Sequence, residues 1–270
     1  MRSTSKIRRI IAVKKRMTYP FTLNIGDAHI HLHVFFEIVA YTIGFQYYLR
    51  LRKKSVDLIS EDNRLWIFIG AAFGGFLGSH ILGIFEKPIP PQYFSEKNAL
   101  TAFLYFMGNK TVLGGYLGGL IGVELTKKRL GVTTSSGDLM TFPLILSLII
   151  GRIGCHLEGL DDGTFGNPTT WPTGINFGDG IPRHPTNLYE IAFLLILWLS
   201  IVYVEKKHPL SNGSRFKLFL ISYLIFRFFT EFLKPAYFHP IGLSSIQIAA
   251  LGGLLYYVFV SRTSVREYSK

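Results

Sequence analysis

The stretch LMTFPLILSLIIGRIGCHLEGLDDGTFG, residues 139–166, decides the fold. Its first half, Leu139–Ile150, is a nearly unbroken apolar run, and its second half carries Arg152, His156, Glu158, Asp161 and Asp162. An apolar helix of this kind suits hydrocarbon, where ionisable side chains are tolerated only when paired or wetted. The two halves read as a membrane helix delivering an arginine to a polar layer.

The rest of the chain supports a membrane setting. Hydrophobic residues make up 49% of it, Phe alone occurs 23 times, and mean hydropathy is +0.30. These residues fall in blocks rather than stripes. Windows of about 19 residues mark spans near 30–49, 66–85, 139–157, 187–204, 216–233 and 241–260. A shorter block, 111–125, rises only about 22 Å, less than the ~30 Å hydrocarbon core. The preceding ALTAFLYFM (Ala99–Met107) reads as a re-entrant or interfacial piece that helps it. The expectation is an all-α integral membrane protein with seven transmembrane helices and an outward-facing polar segment between spans four and five. A basic tail, 1–28, precedes a single polytopic domain, 29–270.

Lys and Arg set the orientation, because they are retained on the cytoplasmic side. In the seven-span arrangement Arg50–Lys54, Arg64, Lys127–Arg129, Lys206 and Lys207 with Arg215 and Lys217, and Arg262, Arg266 and Lys270 share one side. The opposite loops hold only Lys87, Lys97, Lys110, Arg183 and Lys234. The C-terminus is therefore expected in the cytoplasm. The N-terminal tail, with seven Lys and Arg residues, falls on the other side; it lacks a cleavable signal pattern and suits an anionic lipid surface. The net charge of +12 sits in membrane-flanking clusters, which excludes a nucleic-acid-binding domain. Cys155, the single cysteine, excludes an internal disulfide or a multi-thiolate metal site and reads as packing.

Glycines recur at helical packing intervals at Gly70, Gly74 and Gly78, and again at Gly114, Gly118 and Gly122 with Gly115 and Gly119 alongside. Such spacing lets helix backbones approach closely. The second set is dense enough to weaken its own helix, which favours contact there with a lipid headgroup or with backbone.

Within the spans stand Glu37, His80, Glu124, Arg152, Glu190, Arg227 and Glu231, functional candidates because of what burying them costs. Tyr223, Arg227 and Glu231 follow at i, i+4 and i+8 and project from one face. Arg152 lies about 20 Å along its helix from the cytoplasmic start. Two arginines at similar depth form a cationic pocket whose planar donors match phosphate, and the abundant phosphate at that depth is the lipid headgroup. Thr186 or Asn187 caps the next helix, with Glu190 in its first turn. Neither H-E-x-x-H nor a related ligand spacing occurs near His156, Glu158, Asp161, Asp162 and His184, so no metal and no cofactor are expected.

Four ordered motifs then carry a family resemblance. GRIGCHLEG resembles the signature G-R-x-G-N-F-x-N-G-E of the prolipoprotein diacylglyceryl transferases, RHPTNLYE their R-H-P-S-Q-L-Y-E, GGLIGVE their H-G-G-L-I-G-V, and YLIFRFFTEF their Y-x-x-x-R-x-x-x-E helix. The resemblance runs from about residue 30 to 260. It implies a bacterial inner-membrane enzyme that moves diacylglyceryl from phosphatidylglycerol to the lipobox cysteine thiol of a prolipoprotein, leaving a thioether and glycerol phosphate. It also implies catalytic roles for Arg152, Arg227 and Glu231. Substrate contacts are expected at Tyr223, at Gly151, Gly154, His156, Glu158 and Gly159, at His184, Tyr189 and Glu190, and at Gly118 and Gly119. The chain departs from the family at Leu117, where a histidine is usual, at Cys155, where an asparagine is usual, and, in a looser alignment, at Glu37 for a tyrosine. The base for the thiol stays open among Glu231, Glu37, His156 and His184. The departures keep two alternatives in view, a related transferase with another acceptor or headgroup and a non-catalytic lipid-binding protein.

Overall fold

The computed structural model describes residues 19, 21–25, 28–55, 57–87 and 99–268; the seven basic residues of the N-terminal tail lie outside that set. Strands β1 (Thr22–Ile25) and β2 (Ala28–His31) form an antiparallel hairpin with Thr22 opposite His31. Eight helices follow among the described residues: α1 (Leu32–Lys54), α2 (Glu61–Glu86), α3 (Ala99–Gly108), α4 (Val112–Leu130), α5 (Asp138–Glu158), α6 (Thr186–Lys207), α7 (Ser214–Thr230) and α8 (Ser245–Tyr268). A two-residue pair, β3 (Ile175–Asn176) and β4 (Pro182–Arg183), lies between α5 and α6.

Of these helices α2, α5 and α6 are each long and apolar enough to cross a membrane, whereas α3 and the apolar part of α8 are shorter. The block expected to end at residue 125 continues as helix to Leu130. Its 19 residues rise about 28 Å, so α4 is not cut short as its apolar window suggests. It starts where the Thr111 side chain accepts the Gly114 N–H and stops at Gly131, whose φ of +68° suits glycine.

Around an apolar core that includes Ile145, Leu194, Phe219 and Leu224, the bundle buries its ionisable side chains and leaves many large apolar ones on its outer surface. Ile38, Phe73 and Leu199 are 61%, 65% and 68% exposed, while Arg152, Arg227, Glu190 and Glu231 are 7%, 5%, 2% and 1% exposed. A protein surrounded by water would invert that distribution.

Two helix pairs approach most closely. Between α2 and α4 a Cβ on Gly74 would lie 2.3 Å from the Gly118 carbonyl oxygen, one on Gly78 2.4 Å from that of Gly114, and one on Gly122 2.0 Å from that of Gly70. The two glycine series are therefore halves of one seam, and Gly118 belongs to packing rather than to a headgroup contact. Between α1 and α5, the Ser147 hydroxyl donates to the Ala40 carbonyl at 2.9 Å beside Gly44.

The helix ends gather into two groups. At one end Arg64 donates to Asp57 and to the Ser136 carbonyl, and Asp138 accepts from the Gly213 and Phe216 N–H groups. That end gathers the basic segments following α1, α4 and α6. At the other end Phe21 N–H reaches Leu157, Asn167 N–H reaches Leu233, and the Ser245 hydroxyl reaches Phe85.

Candidate active site

Helix α5 carries Arg152 four residues beyond Leu148, into the layer where α6 begins and α7 ends. Arg152 looks unpartnered in the sequence, yet here it has one. Its Nε lies 3.0 Å from Oε1 of Glu190, off the alignment of a hydrogen bond. Arg227 NH1 approaches the other oxygen of Glu190 at 3.5 Å, and its NH2 donates to Glu231 at 3.0 Å. The Tyr223 hydroxyl donates to Glu190 at 2.8 Å. One fully buried carboxylate thus draws two guanidinium groups from separate helices toward each other. Glu190 holds the centre of this arrangement, a larger part than the first-turn charge read from its position. The shared face of Tyr223, Arg227 and Glu231 is present as expected.

Charge is matched at the site, but hydrogen bonding is not. Two arginines meet Glu190 and Glu231, but Arg152 Nε and Arg227 Nε and NH1 are buried without aligned acceptors. Buried donors in this state favour an added oxyanion. Arg152, Arg227 and Glu231 border a cavity of about 1520 Å³ that extends from Lys110 and Lys234 past Tyr116, Ala71 and Gly75 to Arg64 and Ser136. That exceeds the roughly 300–1,000 Å³ of common small-molecule sites and suits a molecule with long apolar chains. Lys234, just past the α7 turn, has its amine pushed down to about 7 by burial, then by Arg227 and Arg152.

The remaining expected contacts divide. Gly151 and Gly119 border the cavity, and a Cβ on Gly151 would meet nothing within 4 Å. Gly154 does not reach it; a Cβ there would lie 2.6 Å from Phe36, so it serves the α1–α5 contact. His156, Glu158, Gly159, His184 and Tyr189 build the polar layer above the site instead. His156 meets the Tyr19 hydroxyl at 3.1 Å, and Glu158 accepts from His31 at 2.7 Å and from the His33 N–H at 3.2 Å. Gly159 turns the chain at φ +71° against Tyr19. His184 contacts Tyr189 at 3.2 Å, and Tyr189 meets Thr173 at 2.6 Å. Because His156 and His184 are not on the cavity wall, they lose force as bases for a thiol inside it.

A second cluster went unnoticed in the sequence. His33 Nδ1 lies 2.6 Å from Asp162 and 3.5 Å from Cys155 Sγ, and Arg152 NH1 lies 3.6 Å from the same sulfur. All three line the cavity. A histidine, a thiol and a carboxylate within 4.8 Å of one another also form a group able to hold a metal ion.

Comparison with known proteins agrees with the motifs. The family model described as prolipoprotein diacylglyceryl transferase matches residues 20–262. The chain belongs to this family. It is 32% identical over 232 residues to the phosphatidylglycerol–prolipoprotein diacylglyceryl transferase of Bordetella parapertussis, covering 80% of this chain and 82% of that one. The Bordetella avium protein of the same name is 29% identical over 266 residues, 92% and 97% of the two chains. That of Nitrosomonas europaea is 27% identical over 227 residues, 80% and 77%. As a member of the family, this diacylglyceryl transferase places its two signature arginines on one buried carboxylate.

Proposed function

We propose that this enzyme transfers diacylglyceryl from phosphatidylglycerol to the lipobox cysteine thiol of a prolipoprotein in the bacterial inner membrane. The observation that carries the reading is the pair of buried guanidinium groups, on α5 and α7, with unfilled donors beside a cavity of about 1520 Å³. The headgroup phosphate takes Arg152 and Arg227, and the acyl chains run down the cavity beside the α2–α4 seam. Attack of the acceptor sulfur on the glyceryl carbon breaks its bond to the phosphate oxygen. Charge accumulates on that oxygen as it leaves, where two preoriented cations in a water-poor site lower the barrier. Glu231 orients Arg227, Tyr223 orients Glu190, and Glu190 aligns both arginines. The fold carries this out as a single polytopic domain, 29–270, with seven crossings, the segment 159–185 on the outer face and the C-terminus in the cytoplasm.

Incubating the purified enzyme with phosphatidylglycerol and a lipobox-cysteine peptide should add one diacylglyceryl mass to the peptide. Arg152→Ala and Arg227→Ala should each abolish transfer while the protein still inserts and purifies. Transfer that survives both changes, or that proceeds equally from a zwitterionic phospholipid, refutes the reading.

A further inference from the structure

Members of this family carry a histidine where this chain has Leu117 and an asparagine where it has Cys155. The thiol to be alkylated has an ordinary pKa near 8.5 and needs help to react as thiolate. Within the cavity the help comes from a different quarter. His33 enters from the first turn of α1, Cys155 from the last turns of α5, and Asp162 from the loop beyond it, their ligand atoms within 4.8 Å of one another. We propose that these three side chains bind Zn²⁺ and that its fourth position, open to the cavity, takes the acceptor's cysteine. The inference rests on the transferase reading above for its acceptor, and on the cluster alone for its metal.

The geometry is near what a tetrahedral site requires. With Zn–N and Zn–O bonds of about 2.0–2.2 Å and Zn–S of about 2.3 Å, ligand atoms stand about 3.4 Å apart for N and O and about 3.6 Å apart for N and S. The observed Cys155–His33 separation is 3.5 Å. The His33–Asp162 separation is 2.6 Å, a hydrogen bond in which a proton holds the place of the ion. Opening that pair by less than an ångström converts it. The surroundings supply what metal ligands usually have behind them: Glu37 lies 3.9 Å from the other ring nitrogen of His33, the Thr164 hydroxyl donates to Asp162, and Arg152 donates to the sulfur. The thiolate and Asp162 carry two negative charges against the dication, while Glu37 is paired with Lys110 and Arg152 with Glu190. Thiolate, imidazole and carboxylate in one small group select zinc among common divalent ions.

The step balances without any redox change. The acceptor S–H binds the metal as thiolate and its proton passes to cavity water beside Glu37. The sulfur lone pair forms the new C–S bond at the glyceryl carbon, and the breaking C–O bond leaves its electrons on the phosphate oxygen beside Arg152. Metal-bound thiols are deprotonated outright, so the missing histidine is not needed.

The experiment uses the full-length enzyme in detergent, stripped with dipicolinate and titrated with Co²⁺ as spectroscopic probe. One equivalent should bind with the near-ultraviolet absorption of a thiolate–cobalt bond, and a lipobox peptide should intensify it where its Cys→Ser version does not. Stripping should lower transfer at least about tenfold, and Zn²⁺ should restore it. Cys155→Asn and Asp162→Asn should lose the band, and whatever transfer they retain should ignore chelator. Absence of the band in the wild-type enzyme, or transfer unchanged by stripping, overturns the proposal and leaves the transferase reading intact. A band that forms while no thiol peptide is ever modified overturns the transferase reading and with it the acceptor role proposed for the metal.

Discussion

Replacing Glu190 by glutamine tests the centre of the site with almost no change of shape. The carboxylate faces Arg152 at 3.0 Å, Arg227 at 3.5 Å and the Tyr223 hydroxyl at 2.8 Å, and is 2% exposed. Glutamine keeps an acceptor for Tyr223 but removes the charge, leaving Arg152 without its counter-ion and Arg227 with Glu231 alone. Breaking a buried pair on one side costs about 3–5 kcal/mol. The lower figure is expected, because Arg227 retains Glu231. At about 2–4 °C per kcal/mol, the thermal midpoint should fall by roughly 6–12 °C. Anion affinity should move the opposite way, since the same loss frees guanidinium donors for phosphate. Thermal melts in detergent, with and without phosphatidylglycerol, would show Glu190→Gln less stable alone and more strongly stabilised by the lipid than wild type. An unchanged midpoint, or equal stabilisation by lipid, would refute the view that this carboxylate holds the two arginines together.

Tyr223→Phe deletes a buried donor to that carboxylate and should destabilise by about 1–3 kcal/mol, read from the same melts. Gly118→Ala would press a methyl to within 2.2 Å of the Gly74 carbonyl and should cost about 1–3 kcal/mol or more, whereas Gly151→Ala, facing open cavity, should melt with wild type. The pH dependence of headgroup binding should follow Lys234. Its folded pKa, about 7, lies below the ordinary 10.5, so the group disfavours the folded state increasingly as pH falls from 10.5 toward 7. As pH drops through 7 it gains a proton and adds a third cation to the site. Phosphatidylglycerol should then bind roughly fivefold tighter at pH 6 than at pH 8.5, the effect of about 1 kcal/mol of attraction, and Lys234→Met should flatten the profile.

What could be read from the sequence was whatever is local. The face bearing Tyr223, Arg227 and Glu231 follows from the helical repeat alone, and the layer reached by Arg152 follows from counting residues along an apolar run. The sorting of basic segments to one end was equally visible. Partnership across the chain was not. Arg152 meets a carboxylate 38 positions away, and His33 meets Cys155 122 positions away, distances over which no periodicity speaks. Gly114, Gly118 and Gly122 showed the spacing for close approach but not the helix they approach, so their density left a headgroup and a backbone contact both open, and α2 supplies the second. His156, Glu158 and His184 attracted notice as polar residues near an arginine. Polarity there serves the layer above the site, where backbone turns and short strands need partners.

The seam of glycines between α2 and α4 also shapes the surface beside it. Ala71, Gly75, Gly115 and Gly119 present backbone and single methyl groups to the cavity, in alternation with the larger Phe68, Phe76, Tyr116 and Leu120. A fatty chain lying against the four small positions orders no long side chains there and gives up little entropy on their behalf.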